Sequence, residues 1–300
     1  MAFESQKYVE NLATKLPEYL QKAESGDVEA MKKAGEAYAA GGTKKPDYKK
    51  ARHWYAKASA EGDVDAIERL ADLLVREATN PKSFFQRLFF SRKKEFAMMV
   101  QAFKLFQLAA EKGNATAMCK LGQFAAAGVF EPPNPDKALE YFKKAADLGD
   151  RAAMVDIGSL YYEQEKYKEG VEWYGKAAKL GDAKASYNIG LYFEQIVKDY
   201  PKAAGWYRRS AEGGIAEAAT NIAYLYAKGL GCSKNLAEAL EWYAKGSELG
   251  DPAATLQLAE QYRTGDGVPK DSRKAAELEK LAKKQSGPWN AGVGDGVAWE

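Results

Sequence analysis

The fold of this chain is decided by the stretch Leu148–Lys179, which reads LGDRAAMVDIGSLYYEQEKYKEGVEWYGKAAK. Gly149 suits the left-handed position that ends a helix, and Asp150 is a good N-cap for the next helix. Ile157 and Tyr161 then continue one apolar helical stripe. The stretch therefore predicts two helices in succession, the second of which carries the aromatic pair Trp173-Tyr174.

The same pattern recurs along the chain. Its opening glycines are Gly26, Gly62, Gly113, Gly149, Gly181, Gly214 and Gly250, at intervals of 36, 51, 36, 32, 33 and 36 residues. Asp or Asn follows six of these glycines, Ile215 follows the other, and an alanine stands four residues after each. Internal recurrence at this spacing indicates stacked repeats, so we expect about seven helix-turn-helix units between residues 25 and 285.

These motifs resemble the Sel-one-like repeat family, which is related to the tetratricopeptide repeat. The resemblance rests on the Gly-Asp starts, the alanine, Leu/Ile-Gly-x-x-Tyr and Ala-x-x-Trp-Tyr-x-x-Ala, as in Ala51–Ala58. It implies an all-α, right-handed superhelical α-solenoid whose members are adaptors and scaffolds with very different partners. Bacterial proteins that resemble this family also neutralise toxic effector enzymes. Such a resemblance predicts the fold, but it does not determine the function.

The repeats leave three other segments. Residues 1–24 are predicted to form a capping helix, an insertion occupies about residues 80–96, and residues 286–300 form a tail that contains glycine and tryptophan. The tail departs from the repeat pattern, so we expect a flexible end.

The insertion explains the 51-residue interval. Phe84, Phe85, Leu88 and Phe89 fall on one face of a short predicted helix with basic residues around it. Such an apolar face favours association. It is open to three interpretations: docking on the protein's own repeats or on a twin subunit as a homodimer, binding of a foreign protein, or peripheral contact with a membrane.

A second candidate site comes from the resemblance, because first helices line the concave surface in the related repeats. Positions six, seven and ten after the opening glycines then give the predicted partner-binding residues Val155, Tyr187, Asn188, Leu191, Asn221 and Tyr224. Exposed aromatic and amide groups suit a protein partner. Asn188 and Asn221 are interpreted either as a ladder that holds an extended peptide or as ties between neighbouring helices.

The sequence offers few candidate residues for catalysis or for metal binding. The chain has one histidine, His53, and two cysteines, Cys119 and Cys232, so neither a catalytic triad nor a zinc site can be assembled. Its glycine-rich turns lack the preceding strand of a phosphate-binding loop. We therefore predict no enzyme, no metal and no cofactor.

Net charge, apolar runs and cysteine content narrow the classes of partner and the cellular location that we expect. A net charge of +2 gives no general attraction to nucleic acid. The N-terminus lacks the pattern of a secretory signal, no apolar run approaches a membrane span, and two cysteines do not form a disulfide framework. We expect a cytoplasmic, non-catalytic protein that binds a protein partner through its concave face. The alternatives are an immunity-type neutraliser of a bacterial toxin and a peripheral membrane organiser that acts through Phe84–Phe90.

Overall fold

The structure is a computed structural model of the 300-residue chain, and it describes residues 2–41, 45–79 and 92–286. In these ranges every regular element is a helix, so the predicted all-α fold is confirmed. The helices are α1 (Ala2–Glu24), α2 (Val28–Ala40), α3 (Tyr48–Ala60), α4 (Val64–Thr79), α5 (Arg92–Glu111), α6 (Ala115–Ala127), α7 (Pro135–Asp147), α8 (Arg151–Glu163), α9 (Tyr167–Lys179), α10 (Ala183–Leu191), α11 (Tyr200–Glu212), α12 (Ala216–Lys228), α13 (Leu236–Glu248), α14 (Pro252–Thr264) and α15 (Ser272–Ser286).

The chain divides into two compact units, residues 1–156 (unit 1) and residues 157–300 (unit 2). The division falls inside α8, so unit 1 holds α1 to α7 and unit 2 holds α9 to α15. In unit 1, Leu16, Tyr19 and Leu20 of α1 pack against a buried cluster that includes Ala34 of α2 and Trp54 of α3. Helix α1 thus packs against the first repeat, which follows it in the chain.

Each repeat starts with the cap that its sequence predicts. The side chains of Asp27, Asp63, Asn114, Asp150 and Asp182 accept a hydrogen bond of 2.7–2.9 Å from the backbone N–H of the alanine three residues later. Asp251 accepts one from Ala253 at 2.9 Å. These bonds satisfy an N–H group that the first turn of a helix leaves free. Ile215 offers no side-chain cap, as expected.

Within a repeat, the two helices meet where a glycine faces an aromatic ring. A Cβ atom added at Gly35, Gly122, Gly158 or Gly190 would lie 2.5–2.6 Å from a ring carbon of Tyr55, Phe142, Tyr174 or Tyr207, respectively. All four rings are buried. The glycine of the Leu/Ile-Gly-x-x-Tyr motif therefore makes room for the second aromatic residue of the Trp-Tyr motif.

The fifth repeat departs from the others. Helix α10 continues into a π-helical segment, Tyr192–Val197, which ends at Lys198 in the left-handed conformation, with φ 62°. The segment brings Glu194 to the hydroxyl of the buried Tyr207, which donates a short hydrogen bond to Glu194 Oε2. A π-helical turn is an uncommon feature, found most often at functional sites.

The insertion predictions cannot be placed. Phe84, Phe85, Leu88 and Phe89 lie outside the described residues, as does the tail from residue 287. Helix α4 is described as far as Thr79, and the residues that follow lie outside the described ranges.

Candidate partner-binding face

Five of the six predicted concave-face residues occur on two first helices of unit 2. We call Tyr187, Asn188 and Leu191 of α10, with Asn221 and Tyr224 of α12, the unit 2 strip. Tyr187 and Leu191 are half-buried and pack against one core cluster, which includes Tyr207 and Ile222. The sixth residue, Val155, is half-buried on α8 and belongs to unit 1.

A hydrogen bond joins two residues of the strip, and a ring contact joins the strip to the core beneath it. The Asn221 amide donates a long hydrogen bond, 3.5 Å, to the Tyr187 hydroxyl, and the Tyr187 ring lies 5.7 Å from the Tyr207 ring. Burial raises the pKa of Tyr187, and burial together with the Glu194 carboxylate raises the pKa of Tyr207. Both phenols therefore stay protonated at neutral pH. The Asn221 amide is in part engaged by the protein itself.

Asn188 differs from Asn221 in this respect. Its side chain is half-buried and makes no hydrogen bond to any described residue. A primary amide has two donor hydrogens and one acceptor oxygen, so it can pair with both groups of a peptide bond. Asn188 therefore keeps its full hydrogen-bonding capacity available.

The exposed apolar part of this face lies on α12 and α14. Tyr224 is 44% exposed and Leu256 is 49% exposed. Leu256 stands six residues after Gly250, the register that Tyr187 holds after Gly181, but it was not among the predicted binding residues. Its repeat position was the signal that could have found it. Tyr187, Asn188, Leu191, Asn221, Tyr224 and Leu256 together carry no formal charge.

The corresponding face of unit 1 is dominated by ion pairs. Lys33 Nζ lies 3.1 Å from Glu36 Oε2, and Arg69 Nε lies 3.0 Å from Asp65 Oδ2. Lys32 Nζ is within 3.4 Å of Asp65 as well. The basic residues Lys33 and Arg69 of the first two repeats are thus neutralised by carboxylates, which the neighbouring helix contributes in part.

One carboxylate of this face differs from the others in its pairing and its pKa. Glu68 on α4 makes no ion pair or hydrogen bond with the described residues, and burial, with Asp72 and Asp65 nearby, raises its pKa to about 7. Arg69 and Lys120 oppose this shift. At neutral pH Glu68 is close to half protonated.

Cys119 and His53, two of the residues considered for catalysis, lie in unit 1. The Cys119 thiol is buried and donates to Asp156 Oδ2 at 3.5 Å, while Gln123 donates to the same oxygen at 2.8 Å. Burial and the Asp156 carboxylate raise the pKa of Cys119, which suppresses its thiolate form. The His53 ring packs edge-on against Trp54, with centroids 5.3 Å apart.

Neither a metal site nor a membrane span is found in residues 2–41, 45–79 and 92–286. These ranges hold no group of three or more His, Cys, Asp or Glu residues arranged to bind a metal ion. They also contain no helix with the length and hydropathy needed to cross a bilayer.

The family follows from the comparison with known repeats. A family model of the Sel1 repeat matches residues 28–63, 99–114, 115–150, 152–182, 183–215, 216–251 and 252–286. The chain belongs to the Sel1 repeat family. Sel1 repeats generally mediate protein–protein interaction, and proteins built from them are typically non-catalytic scaffolds. No curated protein matches this chain in sequence.

Solved structures with the Sel1 fold agree with this assignment. A Sel1 repeat protein from Oxalobacter formigenes is 24% identical, with a TM-score of 0.67 over 90% of this chain and 76% of the other. A protective antigen of uropathogenic Escherichia coli is 26% identical, with a TM-score of 0.53 over 91% and 68%. An immunity protein from Pseudomonas aeruginosa, Pa5087, is 22% identical, with a TM-score of 0.51 over 75% and 82%.

Proposed function

We propose that this protein is a non-catalytic, cytoplasmic interaction module that binds a protein partner through the unit 2 strip. The observation that supports the proposal most is the contrast between the two units. Lys33 and Arg69 of unit 1 are paired with carboxylates, whereas the unit 2 strip is uncharged and presents the exposed Tyr224 beside an unengaged amide. Aromatic side chains are enriched among residues that dominate binding energy.

The strip is also suited to binding because it is held in place before a partner arrives. The Tyr187 ring packs against a core in which Tyr207 is hydrogen-bonded to Glu194, and the Tyr187 hydroxyl accepts a hydrogen bond from Asn221. A rigid surface loses little side-chain entropy on binding. Because the strip carries no formal charge, we expect the affinity to change little with salt concentration, unlike an electrostatically steered interaction.

The first experiment identifies the partner and the face together. A photo-crosslinking amino acid is placed at Tyr224 or, as a control, at Leu249, which is 40% exposed at the end of the second helix α13. Proteins captured at position 224 and absent at position 249 are then purified, and their affinity is measured by calorimetry.

The affinity measurement tests the strip. We expect Tyr224→Ala and Asn188→Ala each to weaken binding about tenfold, or about 1.4 kcal/mol. Leu249→Ala, a truncation of comparable exposure, should leave the affinity within about twofold. Equal effects of Tyr224→Ala and Leu249→Ala would show that the partner binds elsewhere, and the assignment of the strip would be wrong.

A second role, neutralisation of a bacterial toxin or effector enzyme, is raised by the fold that this chain shares with the Pseudomonas aeruginosa immunity protein. The two roles differ in their effect on a captured enzyme. A neutraliser abolishes its activity at one-to-one stoichiometry, and an adaptor leaves the activity intact. The peripheral-membrane role rests on Phe84–Phe90, outside the described residues, and stays a prediction.

A further inference from the structure

Two aliphatic side chains at the end of the fifth repeat's first helix are exposed and lie outside the strip. Ile196 is 43% exposed and Val197 is 45% exposed, and both belong to the π-helical segment that extends α10. Lys198 follows them in the left-handed conformation, with φ 62°. Two neighbouring aliphatic groups and a lysine are thus placed where the chain turns toward α11.

The corresponding turn of the next repeat adds two more lysines to this end of unit 2. Lys228 ends α12, and Lys234 follows in the turn between α12 and α13. A Cβ atom added at Gly231 of that turn would lie 2.6 Å from Cδ of Pro201. The turn therefore packs on the start of α11, three residues after Lys198. We call this surface the basic–aliphatic patch, which consists of Ile196, Val197, Lys198, Lys228 and Lys234.

The patch carries positive charge that the described residues do not neutralise. Residues 195–198 and 228–235 contain three lysines and no carboxylate. None of the three lysines forms an ion pair with a residue of the described ranges. The nearest acidic residue in sequence is Asp199, whose Oδ2 lies 2.8 Å from Lys202 Nζ. A lysine outside the patch therefore already matches the charge of Asp199.

Lysines beside exposed aliphatic groups fit an anionic lipid surface better than they fit a protein partner. Lysine is depleted in protein–protein interfaces, where arginine and aromatic residues are enriched. A bilayer, in contrast, accepts small apolar groups at the boundary between headgroups and acyl chains. When its lipids are anionic, each lysine near the surface strengthens binding about fivefold. The side chains of the patch lie at the turns that end two hairpins, so a planar surface can contact them together.

We propose that unit 2 binds anionic membranes peripherally through the basic–aliphatic patch. Ile196 and Val197 enter the headgroup boundary, and the three lysines pair with anionic headgroups. Together the lysines favour an anionic bilayer over a neutral one about a hundredfold. The binding is reversible and weakens with salt, because exposed charges are screened. This contact is independent of the binding role proposed for the strip.

The native thiol of Cys232 reports on the patch, because it is exposed and lies in the turn that holds Lys234. The other thiol, Cys119, is buried. The full chain is labelled at Cys232 with nitrobenzoxadiazole (NBD), whose emission responds to loss of contact with water. It is mixed with vesicles of phosphatidylserine and phosphatidylcholine, or of phosphatidylcholine alone, and cosedimentation gives the partition coefficient. The fluorescence shows whether this surface, rather than residues 84–90, meets the bilayer.

The aliphatic side chains are tested with a matched pair of variants. Ile196→Ser/Val197→Ser removes both from the patch, and Leu180→Ser/Leu249→Ser removes two exposed leucines from turns between repeats of unit 2. We expect the first variant to lower the partition coefficient for anionic vesicles about tenfold. The second should leave it within about twofold.

The lysines are tested with variants of equal charge change. Lys198→Gly/Lys234→Gln removes two charges from the patch, and glycine suits the left-handed position of Lys198. Lys179→Gln/Lys184→Gln removes two exposed lysines beside the turn between α9 and α10, about 20 Å away along α10. That distance exceeds the screening length of about 10 Å. We expect the patch variant to lower the partition coefficient about twentyfold and the control to change it less than twofold.

Circular dichroism checks that every variant keeps the helical content of the wild type. Patch variants that partition like their controls would overturn the proposal and assign membrane binding to another part of the chain. A wild type that binds neither kind of vesicle, or both equally, would also overturn it. An NBD response to soluble polyglutamate without a response to vesicles would overturn it in favour of an acidic protein segment.

Discussion

Replacing Gly190 by alanine tests whether the glycine of each repeat exists to admit a ring. The added Cβ would lie 2.5 Å from both Cδ1 and Cε1 of Tyr207. Carbon atoms in favourable contact are about 3.5–4.0 Å apart, so the ring or one helix must move by about 1 Å. Tyr207 is fully buried and its hydroxyl is held by Glu194, which leaves the ring little freedom to yield.

The expected magnitude combines two opposing effects. Overpacking of a close contact costs about 1–3 kcal/mol, and alanine in place of glycine inside a helix returns about 1 kcal/mol. Gly190→Ala should therefore lower the free energy of unfolding by up to about 2 kcal/mol. Gly205, on α11 of the same repeat, has no atom within 4 Å of an added Cβ. Gly205→Ala should instead stabilise the protein by about 0.5–1 kcal/mol.

Urea unfolding followed by circular dichroism compares the two variants. Because repeat proteins can unfold in parts, hydrogen exchange of the α10 and α11 amides gives a local free energy beside the global midpoint. The variants should differ by about 0.5–3 kcal/mol, with Gly190→Ala the less stable of the two. If Gly190→Ala is as stabilising as Gly205→Ala, the ring contact does not constrain this position and the reasoning is refuted.

Three further changes follow from the described contacts. Glu165, two residues after the end of α8, is in the left-handed conformation, with φ 60°, so Glu165→Gly should raise the melting temperature through a gain of about 0.5–1 kcal/mol; no gain would argue against strain there. Asp150→Ala removes the cap on Ala153 and should cost about 1 kcal/mol in urea unfolding, a loss that Asp150→Asn should largely avoid. Glu68 has a folded-state pKa of about 7 against an unfolded value near 4.5, so its contribution to stability is greatest below pH 4.5 and is lost as the pH rises to 7. Glu68→Gln should thus stabilise the protein at about pH 8 and change nothing near pH 4, and equal effects at both values would contradict the assignment.

The turns between repeats could be predicted because their determinants are local. Gly149 and Asp150 are adjacent in sequence, and the hydrogen bond of Asp150 closes on Ala153 only three residues later. Ile215 was expected to leave its helix without a side-chain cap for the same local reason.

The candidate faces depend on residues far apart in sequence, and there the predictions were less complete. The ion pairs that Arg69 makes with Glu36 and Lys32 makes with Asp65 join different helices, so they depend on how those helices align side by side. The contact of Glu194 with Tyr207 requires the π-helical segment. No residue pattern in the sequence predicted that segment. The binding role of the unit 2 strip stays a prediction.

The hydrogen-bonded turns also bear on how such a chain changes in length. In six of the seven repeats the opening glycine and the capping side chain after it are encoded together. A genetic exchange between the codons of Gly149 and Gly181 would therefore delete or duplicate one entire hairpin and leave a capped junction where the two ends join. Evolution can then lengthen or shorten the array in steps of one repeat, and the turn at each new boundary is already encoded.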